Sequence, residues 1–304
     1  MDKITSYTQQ IHHCYPDFSI ESAVLNRDGQ YNDVLVVNDA FIFRFAKVAP
    51  AIETMRREVE LLHRFQPHIS LPIPQPAFVH TESAVLGEVF MGYPLVPGQP
   101  LWREAFQAIN DSDGLARMAG QLAGFLRELH HTPPDQIVPS GQPVADSPAD
   151  MADLYTRIQA NLYGYMRPDA QAGVTAHFER YFVNADRHPY TPTLRHGDFG
   201  TGNLLHDPET LSITGILDFS FTGLGDPAAD FAGLYVSYGE DFYRRCYDVY
   251  PAMETALERV HFYRGIFALE EAIFGLEHND NEAFQEGICS GQRDGEILDA
   301  DERR

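Results

Sequence analysis

Two short apolar runs near the amino terminus predict a β-hairpin. Residues 34–37 and 41–45 are apolar apart from Arg44, and the Asn38-Asp39 pair between them suits a two-residue turn. Because successive side chains of a strand point to opposite faces, the phenylalanines of residues 41–45 share one face. Ile42 and Arg44 share the other face, so Arg44 is set apart from the phenylalanines.

A helix follows the hairpin, and a proline-rich stretch follows the helix. Residues 51–65 carry apolar side chains at three- and four-residue steps, which predicts a helix. The prolines of residues 67–76 end this helix and predict an extended connector. Residues 83–93 predict another strand. Residues 94–100 hold three prolines and a glycine, and they predict a hinge between two lobes.

Beyond the hinge the pattern is mostly helical. The predicted elements are a helix over 115–129 with Asp113 as its N-cap, a loop over 132–149, a helical stretch over 151–181 broken near Pro168, a helix opened by Asp226-Pro227, helices over 242–274 and a frayed polar end over 291–304. This order predicts an α+β fold of two lobes. Residues 1–93 would form a small sheet-rich lobe, residues 94–100 the hinge and residues 101–304 a larger helical lobe, with a ligand cleft at the hinge.

Composition and charge narrow the possible partners. The chain has 304 residues and a formal net charge of -22, which disfavours nucleic acids and anionic membranes and suits a small cationic ligand. Its three cysteines, Cys14, Cys246 and Cys289, lie far apart, which favours a reducing compartment over a disulfide framework. Since no signal peptide or membrane-spanning run is evident, we expect a cytoplasmic protein, and nothing in the sequence implies an obligate protein partner.

One segment carries most of the candidate chemistry. His196, Asp198 and Asn203 follow the spacing H-x-D-x-x-x-x-N, and Asp218 stands at the end of the apolar run 215–219. This spacing is typical of a kinase catalytic loop with its metal-binding aspartate. Asp198 would position the attacking hydroxyl, while the amide oxygen of Asn203 and the carboxylate of Asp218 are the hard ligands that Mg²⁺ prefers. The alternative interpretation is that the two aspartates only bond to their own turns.

These motifs, together with residues 225–231 (GDPAADF), resemble the aminoglycoside phosphotransferase family. The run FIFRF at 41–45 and the connector LPIP at 71–74 are similar to its 2''-phosphotransferase branch. The resemblance extends from about residue 29 to residue 231. It implies a two-lobed protein-kinase-like fold, ATP or GTP as the phosphoryl donor and Mg²⁺ as the cofactor.

The resemblance also implies roles for residues outside the catalytic segment. Arg44 stands where the family usually carries a lysine that contacts the nucleotide phosphates, and Glu58 would be its helix partner. Lys47 is an alternative phosphate contact. The carbonyl of Pro94 and the N–H of Val96 would bind the purine edge. Residues 28–33 occupy the place of the loop over the phosphates, although an ordinary hairpin turn explains them equally well.

The acceptor is the least specified part of the prediction. A polycationic acceptor needs carboxylates, and the candidates are Glu240, Asp241, Glu270 and Glu271. The resulting interpretation is a small-molecule kinase whose acceptor is most simply an aminoglycoside. Two alternatives stay open: a kinase for another small alcohol, such as an amino alcohol, a sugar or a macrolide, and a non-catalytic regulator that binds nucleotide.

Overall fold

The structure, a computed structural model, describes residues 2–26, 29, 31–138, 141–184 and 189–290. The chain divides into two compact units. Unit 1 comprises residues 1–140 and 196–222, and unit 2 comprises residues 141–195 and 223–304. The predicted lobes use the hinge as their boundary instead, and that division stays a prediction. Within the described ranges, no helix has the length and apolar character that crossing a membrane requires.

Unit 1 contains two antiparallel sheets and the helices around them. Its helices are α1 (Lys3–Cys14), α2 (Ala49–Phe65), α3 (Arg103–Gln107), α4 (Ser112–His131) and α5 (Pro134–Ile137). Its strands are β1 (Ala23–Asn26), β2 (Asn32–Val37), β3 (Phe41–Ala46), β4 (Phe78–His80), β5 (Phe90–Pro94), β6 (Gln99–Pro100), β8 (Leu204–Asp207) and β9 (Ser212–Ile216). The larger sheet has the order β1-β2-β3-β5-β4, and the smaller has the order β6-β8-β9.

The predicted hairpin is confirmed. Strands β2 and β3 pair antiparallel with Val37 opposite Phe41, so residues 38–40 form the turn, in which Asn38 and Asp39 both have positive φ angles. Phe43 and Phe45 are fully buried, and they pack with Leu35, Phe90 and residues of α1 in a core on one face of the sheet. Arg44 points to the opposite face, as the alternation predicts.

Two predicted boundaries in unit 1 are wrong. Residues 83–93 were expected to be a strand, but only β5 forms, because Ser83 and Gly87 make a turn before it. The Ser83 hydroxyl accepts a hydrogen bond from Val85 N and donates one to Glu88, and Gly87 has a φ of +85°. The N-cap of α4 is Asp111, whose side chain accepts a hydrogen bond from the N–H of Asp113.

Unit 2 is mainly helical, as predicted. Its elements are α6 (Pro148–Asn161), α7 (Pro168–Asn184), β7 (Thr193–Arg195), β10 (Gly223–Gly225), α8 (Ala228–Tyr238), α9 (Glu240–Arg245), α10 (Ala252–Thr255) and α11 (Leu257–His278). The helical stretch breaks before Pro168, as expected. β7 and β10 pair antiparallel. The predicted frayed end, 291–304, lies outside the described residues.

Helix α8 begins where the Asp-Pro pair predicts a helix, with a small shift. Pro227 is its N-cap rather than its first residue, and Asp226 Oδ1 accepts a hydrogen bond from Ala228 N at 2.9 Å. Asp226 therefore closes the start of the helix with its side chain. Its other oxygen accepts hydrogen bonds from Arg259 Nε at 2.8 Å and the Tyr263 hydroxyl at 3.3 Å, both on α11.

Candidate active site

A cavity of about 580 Å³ in unit 1 brings together most of the predicted chemical residues. Arg44, Asp198, Asn203 and Asp218 all line it. Its other lining residues are Gly29, Tyr31, Asn32, Val34, Trp102, Gly200, Thr201, Gly202, Ser220 and Phe221. Side chains that lie up to 174 positions apart in the sequence therefore meet around one space.

The fully buried side chain of His196 fixes the main chain of the catalytic-loop segment. Its Nε2 lies 2.9 Å from the carbonyl oxygen of Leu217, and its Nδ1 lies 3.3 Å from the N–H of Asp198. The imidazole that satisfies both contacts donates from Nε2 and accepts at Nδ1. Gly197 has a φ of +84°, a conformation in which a residue with a Cβ is strained. His196 thus braces the main chain before both aspartates.

Asn203 orients Asp198 directly. Asn203 Nδ2 donates to the Asp198 carbonyl oxygen at 2.9 Å and to Asp198 Oδ2 at 2.8 Å. The nitrogen end of the amide is therefore turned toward Asp198. Its oxygen end is directed away from these two acceptors, where it can serve as a ligand.

Arg44 is buried at the centre of a charged network. Its Nη1 donates to Glu58 Oε1 at 2.6 Å, and its Nη2 donates to Asp218 Oδ1 at 3.3 Å. Nη2 also donates to the Ser220 hydroxyl at 3.0 Å, and that hydroxyl donates to Glu58 Oε2 at 2.9 Å. Arg44, Glu58 and Ser220 therefore close a ring of hydrogen bonds, which an arginine can span because its guanidinium is forked.

The same network holds the segment that carries Asp218. Asp218 has a φ of +57°, and its Oδ1 accepts from Ser220 N at 3.2 Å as well as from Arg44. Phe219 N donates to Glu58 Oε1 at 3.2 Å. Among the described residues, Asp218 Oδ2 has no hydrogen-bond partner, so one oxygen of this carboxylate is open.

The charges of this network are mutually stabilised. Burial acts to lower the pKa of Arg44, but the carboxylates of Glu58 and Asp218 outweigh it and raise that pKa, so the guanidinium stays charged. Burial likewise acts to raise the pKa of Asp218, but Arg44 and the hydrogen bonds from Ser220 lower it. Asp218 is therefore an anion at neutral pH.

Lys47, the alternative phosphate contact, is engaged with main chain. Its Nζ donates to the Gly29 carbonyl oxygen at 3.0 Å, and its N–H donates to the Tyr31 carbonyl oxygen at 2.9 Å. Lys47 thus holds the connection between β1 and β2 beside the cavity. Residues 27, 28 and 30 of that connection, and with them part of the predicted phosphate loop 28–33, lie outside the described residues.

Two predicted nucleotide contacts lie outside this cavity. Pro94 is the exposed last residue of β5, and Val96 is buried against Gly215, whose added Cβ would meet Val96 Cγ1. Within the part of the chain that the structure describes, the N–H of Val96 has no hydrogen-bond partner. This N–H lies two residues beyond β5, and its role in base recognition, which the resemblance implies, stays a prediction.

The four predicted acceptor carboxylates lie in unit 2, on two helices. Glu240 is at the start of α9, where it accepts a hydrogen bond from Arg244 Nε at 2.9 Å, and Asp241 is exposed beside it. Glu270 and Glu271 are exposed on α11. The sequence could have predicted the ion pair between Glu240 and Arg244, because Arg244 follows Glu240 by one helical turn.

Glu270 differs from the others in its ionisation. Its side chain is exposed to solvent, yet desolvation by the surrounding protein and the negative charge of Asp146 raise its pKa to about 7. Arg195 and Arg157 act in the opposite direction. A solvent-borne cation can therefore reach a carboxylate whose charge is sensitive to pH near neutrality.

Sequence reasoning missed three lining residues, Trp102, Ser220 and Phe221. Trp102 and Phe221 are about half exposed, and the rings of Phe221 and Tyr31 meet edge to face at 6.0 Å. The position of Phe221, three residues after Asp218, could have indicated that it lines the cavity, whereas no local motif pointed to Trp102.

The described residues do not include a dense cluster of metal-ligating side chains. In the ranges that the structure covers, no group of three or more His, Cys, Asp or Glu side chains is placed to hold a metal ion. The open carboxylate oxygen of Asp218 and the amide oxygen of Asn203 instead form a sparse pair of hard ligands. Such a pair fits Mg²⁺, which takes one or two protein ligands and completes its shell with phosphates and water.

Comparison with known proteins identifies the family. A sequence model of the phosphotransferase enzyme family matches residues 22–263. Viomycin phosphotransferase from Streptomyces vinaceus is 26% identical over 274 residues, which cover 88% of this chain and 91% of that protein.

Solved structures of related enzymes have a similar fold. The GDP complex of wild-type aminoglycoside 2'-phosphotransferase-IIIa is 26% identical, with a TM-score of 0.90 over 97% of this chain and 99% of that one. The GDP and kanamycin complex of APH(2")-IIia is 27% identical, with a TM-score of 0.87 over 95% and 97% of the two chains. The chain therefore belongs to the phosphotransferase enzyme family, as a small-molecule kinase with the protein-kinase-like fold that the sequence predicted.

Proposed function

We propose that this enzyme transfers the γ-phosphoryl group of ATP or GTP to a hydroxyl of an aminoglycoside or a related cationic antibiotic, with Mg²⁺ as cofactor. The observation that carries the proposal is the cavity lined by Arg44, Asp198, Asn203 and Asp218. Relatives that phosphorylate viomycin or bind kanamycin suggest the acceptor class. The net charge of -22 favours such a cation electrostatically.

Asp198 would position the acceptor. Its carboxylate accepts a hydrogen bond from the attacking hydroxyl and aims the oxygen at the γ-phosphorus. The new O–P bond forms as the bond between the γ-phosphorus and the β,γ-bridging oxygen breaks, and the hydroxyl proton passes to Asp198 or to the phosphate. The hydrogen bond from Asn203 Nδ2 to Asp198 Oδ2 fixes the carboxylate before the acceptor arrives.

Asn203 and Asp218 would hold the magnesium ion. Asp218 offers Oδ2, since Arg44 and Ser220 occupy Oδ1, and Asn203 offers Oδ1, since its nitrogen is turned to Asp198. When bound, Mg²⁺ neutralises the phosphate charge that resists attack. Arg44, oriented by Glu58, supplies a permanent positive charge on the same side of the cavity.

The nucleotide base would bind at the end of β5. The Val96 N–H donates to the purine edge, and Pro94, which has no N–H, can only accept through its carbonyl. GDP complexes of the related structures support a purine nucleotide as donor without distinguishing ATP from GTP. The acceptor carboxylates in this proposal are Glu240, Asp241, Glu270 and Glu271.

The experiment is a turnover assay with labelled ATP and GTP against kanamycin, viomycin and a panel of macrolides, amino alcohols and sugars. We expect phosphorylation of a cationic antibiotic that requires Mg²⁺. Asp198→Ala should lower kcat by roughly 10²- to 10⁴-fold, because positioned proton transfer contributes about that much, with little change in nucleotide affinity.

The controls separate the alternatives. Turnover of Asp198→Ala near the wild-type rate would refute the role of Asp198. Phosphorylation of a macrolide, amino alcohol or sugar alone would favour another small-alcohol kinase. Nucleotide binding without product from any compound would favour a regulator that does not catalyse.

A further inference from the structure

One lining residue of the catalytic cavity has no role in the reaction just described. Trp102 is 52% exposed, although it is the largest side chain type and is flanked by the fully buried Leu101. An exposed tryptophan in a cavity leaves a large apolar surface in contact with water, which a ligand can cover. It lines the same space as Asp198 and Asn203.

The main chain around Trp102 is rigid. Trp102 N donates to the Pro100 carbonyl oxygen at 2.9 Å, and its own carbonyl accepts from Phe106 N at 2.9 Å at the start of α3. Leu101 N donates to the Leu204 carbonyl oxygen at 2.8 Å, which ties this segment to β8. The main chain that carries the indole is therefore fixed by hydrogen bonds before any ligand binds.

The indole lies beside the turn that carries Asn203. A Cβ added to Gly202 would stand 3.2 Å from Cη2 and 3.5 Å from Cζ3 of Trp102, so the ring edge approaches the turn closely where residue 202 has no side chain. This turn, Thr201–Asn203, begins three residues after Asp198. An acceptor whose hydroxyl reaches Asp198 can therefore contact the indole, because both side chains line the same cavity.

The electrostatic potential of the indole indicates whether the nucleotide or the acceptor is its ligand. The face of an indole carries negative potential, which attracts ammonium groups and does not attract polyphosphate. In the reaction proposed above, the positive charge of Arg44 would meet the phosphates. A protein with a net charge of -22 further favours cations near its surface.

We propose that Trp102 is an acceptor-binding residue that contacts an ammonium group of the cationic acceptor through a cation–π interaction. This inference rests on the proposed function, because it assumes that the acceptor is a polycation.

Trp102 is the only tryptophan of the chain, so its fluorescence reports on this site alone. We would titrate the wild-type protein with kanamycin and with viomycin, each with and without Mg²⁺ and GDP, and use fully N-acetylated kanamycin as an uncharged probe. We expect a saturable change in emission with a cationic antibiotic and a much weaker one with the acetylated compound. A change with GDP and Mg²⁺ alone, and none with the antibiotics, would overturn the proposal.

Kinetics provide the second measurement. Trp102→Ala should raise the KM for the acceptor about 2- to 30-fold, the range expected for a cation–π contact, while the KM for the nucleotide stays within about 2-fold. Trp102→Phe should recover part of the loss, because phenylalanine retains a weaker π face. Tyr165→Ala is the matched control, since Tyr165 is 58% exposed but lies outside the lining of the cavity.

The outcomes are separable from those of the proposed function. A fluorescence response without phosphorylation of either antibiotic would support the contact and contradict the reaction. Phosphorylation with no fluorescence response, or with an unchanged acceptor KM in Trp102→Ala, would contradict the contact and leave the reaction standing. Absence of both response and turnover would contradict both.

Discussion

Each unit of this enzyme pairs an aspartate with an arginine, and the two aspartates differ in whether a carboxylate oxygen is left open to a ligand. In unit 2, Asp226 is 1% exposed, and hydrogen bonds from Ala228, Arg259 and Tyr263 use both of its oxygens. In unit 1, Asp218 is 37% exposed, and Arg44 and Ser220 use Oδ1 alone.

The pKa values of these two aspartates are also shifted in different directions. Burial raises the pKa of Asp226 despite the opposing effect of Arg259, whereas Arg44 and Ser220 lower the pKa of Asp218 against burial. A carboxylate with both oxygens satisfied inside the protein serves the fold. A carboxylate that is charged and has one oxygen open can bind a ligand, so the open oxygen rather than the ion pair is the feature that fits the metal-binding role proposed for Asp218.

Replacing each aspartate by asparagine tests this comparison most strongly. For Asp218→Asn we expect kcat to fall by roughly 10²- to 10³-fold, because the charge that would hold the metal is lost and metal ions contribute several kcal/mol to such reactions. The free energy of unfolding should change little, since Arg44 keeps its bond to Glu58. Steady-state kinetics and denaturant unfolding measure the two effects.

Asp226→Asn is the matched control and should behave in the opposite way. It leaves Arg259 partly buried without its anionic partner, which typically costs about 3–5 kcal/mol of unfolding free energy. The folded fraction should retain most of its turnover per active molecule. The comparison fails if Asp218→Asn is the less stable variant, or if folded Asp226→Asn loses as much kcat as Asp218→Asn.

Breaking the ring of hydrogen bonds among Arg44, Glu58 and Ser220 should change stability by a smaller amount. Ser220→Ala removes the hydroxyl that donates to buried Glu58 Oε2, so we expect a loss of about 1–3 kcal/mol in unfolding free energy. Arg44→Lys should also destabilise, because a single ammonium cannot reproduce the forked contacts to Glu58 and Ser220. Denaturant unfolding of the two single variants and the double variant measures the coupling.

The double variant decides whether the ring is one unit. Residues that share a hydrogen-bond network couple by about 0.5–3 kcal/mol, so the combined loss should be smaller than the sum of the single losses. Ser70→Ala is the control, since its hydroxyl bonds to Glu128 on an exposed part of unit 1. Strict additivity of Arg44→Lys and Ser220→Ala would contradict the ring.

The parts of this molecule that the sequence predicted are those governed by local chemistry. The Asn38-Asp39 turn and the alternation around Arg44 follow from backbone conformation and strand geometry, and both are confirmed. The strand expected over 83–93 fails for a local reason too, because the turn chemistry of Ser83 and Gly87 outweighs β-propensity.

The parts that the sequence did not predict depend on contacts between distant segments. The Ser220 hydroxyl meets Glu58 across 162 positions, and Trp102 meets Gly202 across a hundred, and no periodicity encodes either contact. The motif spacing indicated which residues to expect in the cavity. It did not indicate that Asp218 would keep one open oxygen, because that depends on the positions of Arg44 and Ser220 in the folded chain.

Glu270 extends the comparison to a carboxylate in unit 2 that is exposed. Its pKa of about 7 means that it is mostly protonated at pH 6 and mostly charged at pH 8. If it contacts the cationic acceptor, the acceptor KM should fall by up to about ten-fold as the pH rises from 6 to 8, in step with its ionised fraction. Glu270→Gln should flatten this dependence, and the ratio of the two KM values removes any titration of the acceptor itself.

Stability should change with pH in the opposite direction. Because the folded state binds a proton at Glu270 that the unfolded state releases at its ordinary pKa of 4.5, the stability of wild type relative to Glu270→Gln should decline between about pH 4.5 and pH 7. Glu277→Gln is the control on the same helix, since Glu277 is paired with Arg157 at 2.6 Å. Equal pH profiles of KM for wild type and Glu270→Gln would remove Glu270 from the acceptor site, while a declining stability difference would still show that its pKa is raised, so the two measurements separate binding from ionisation.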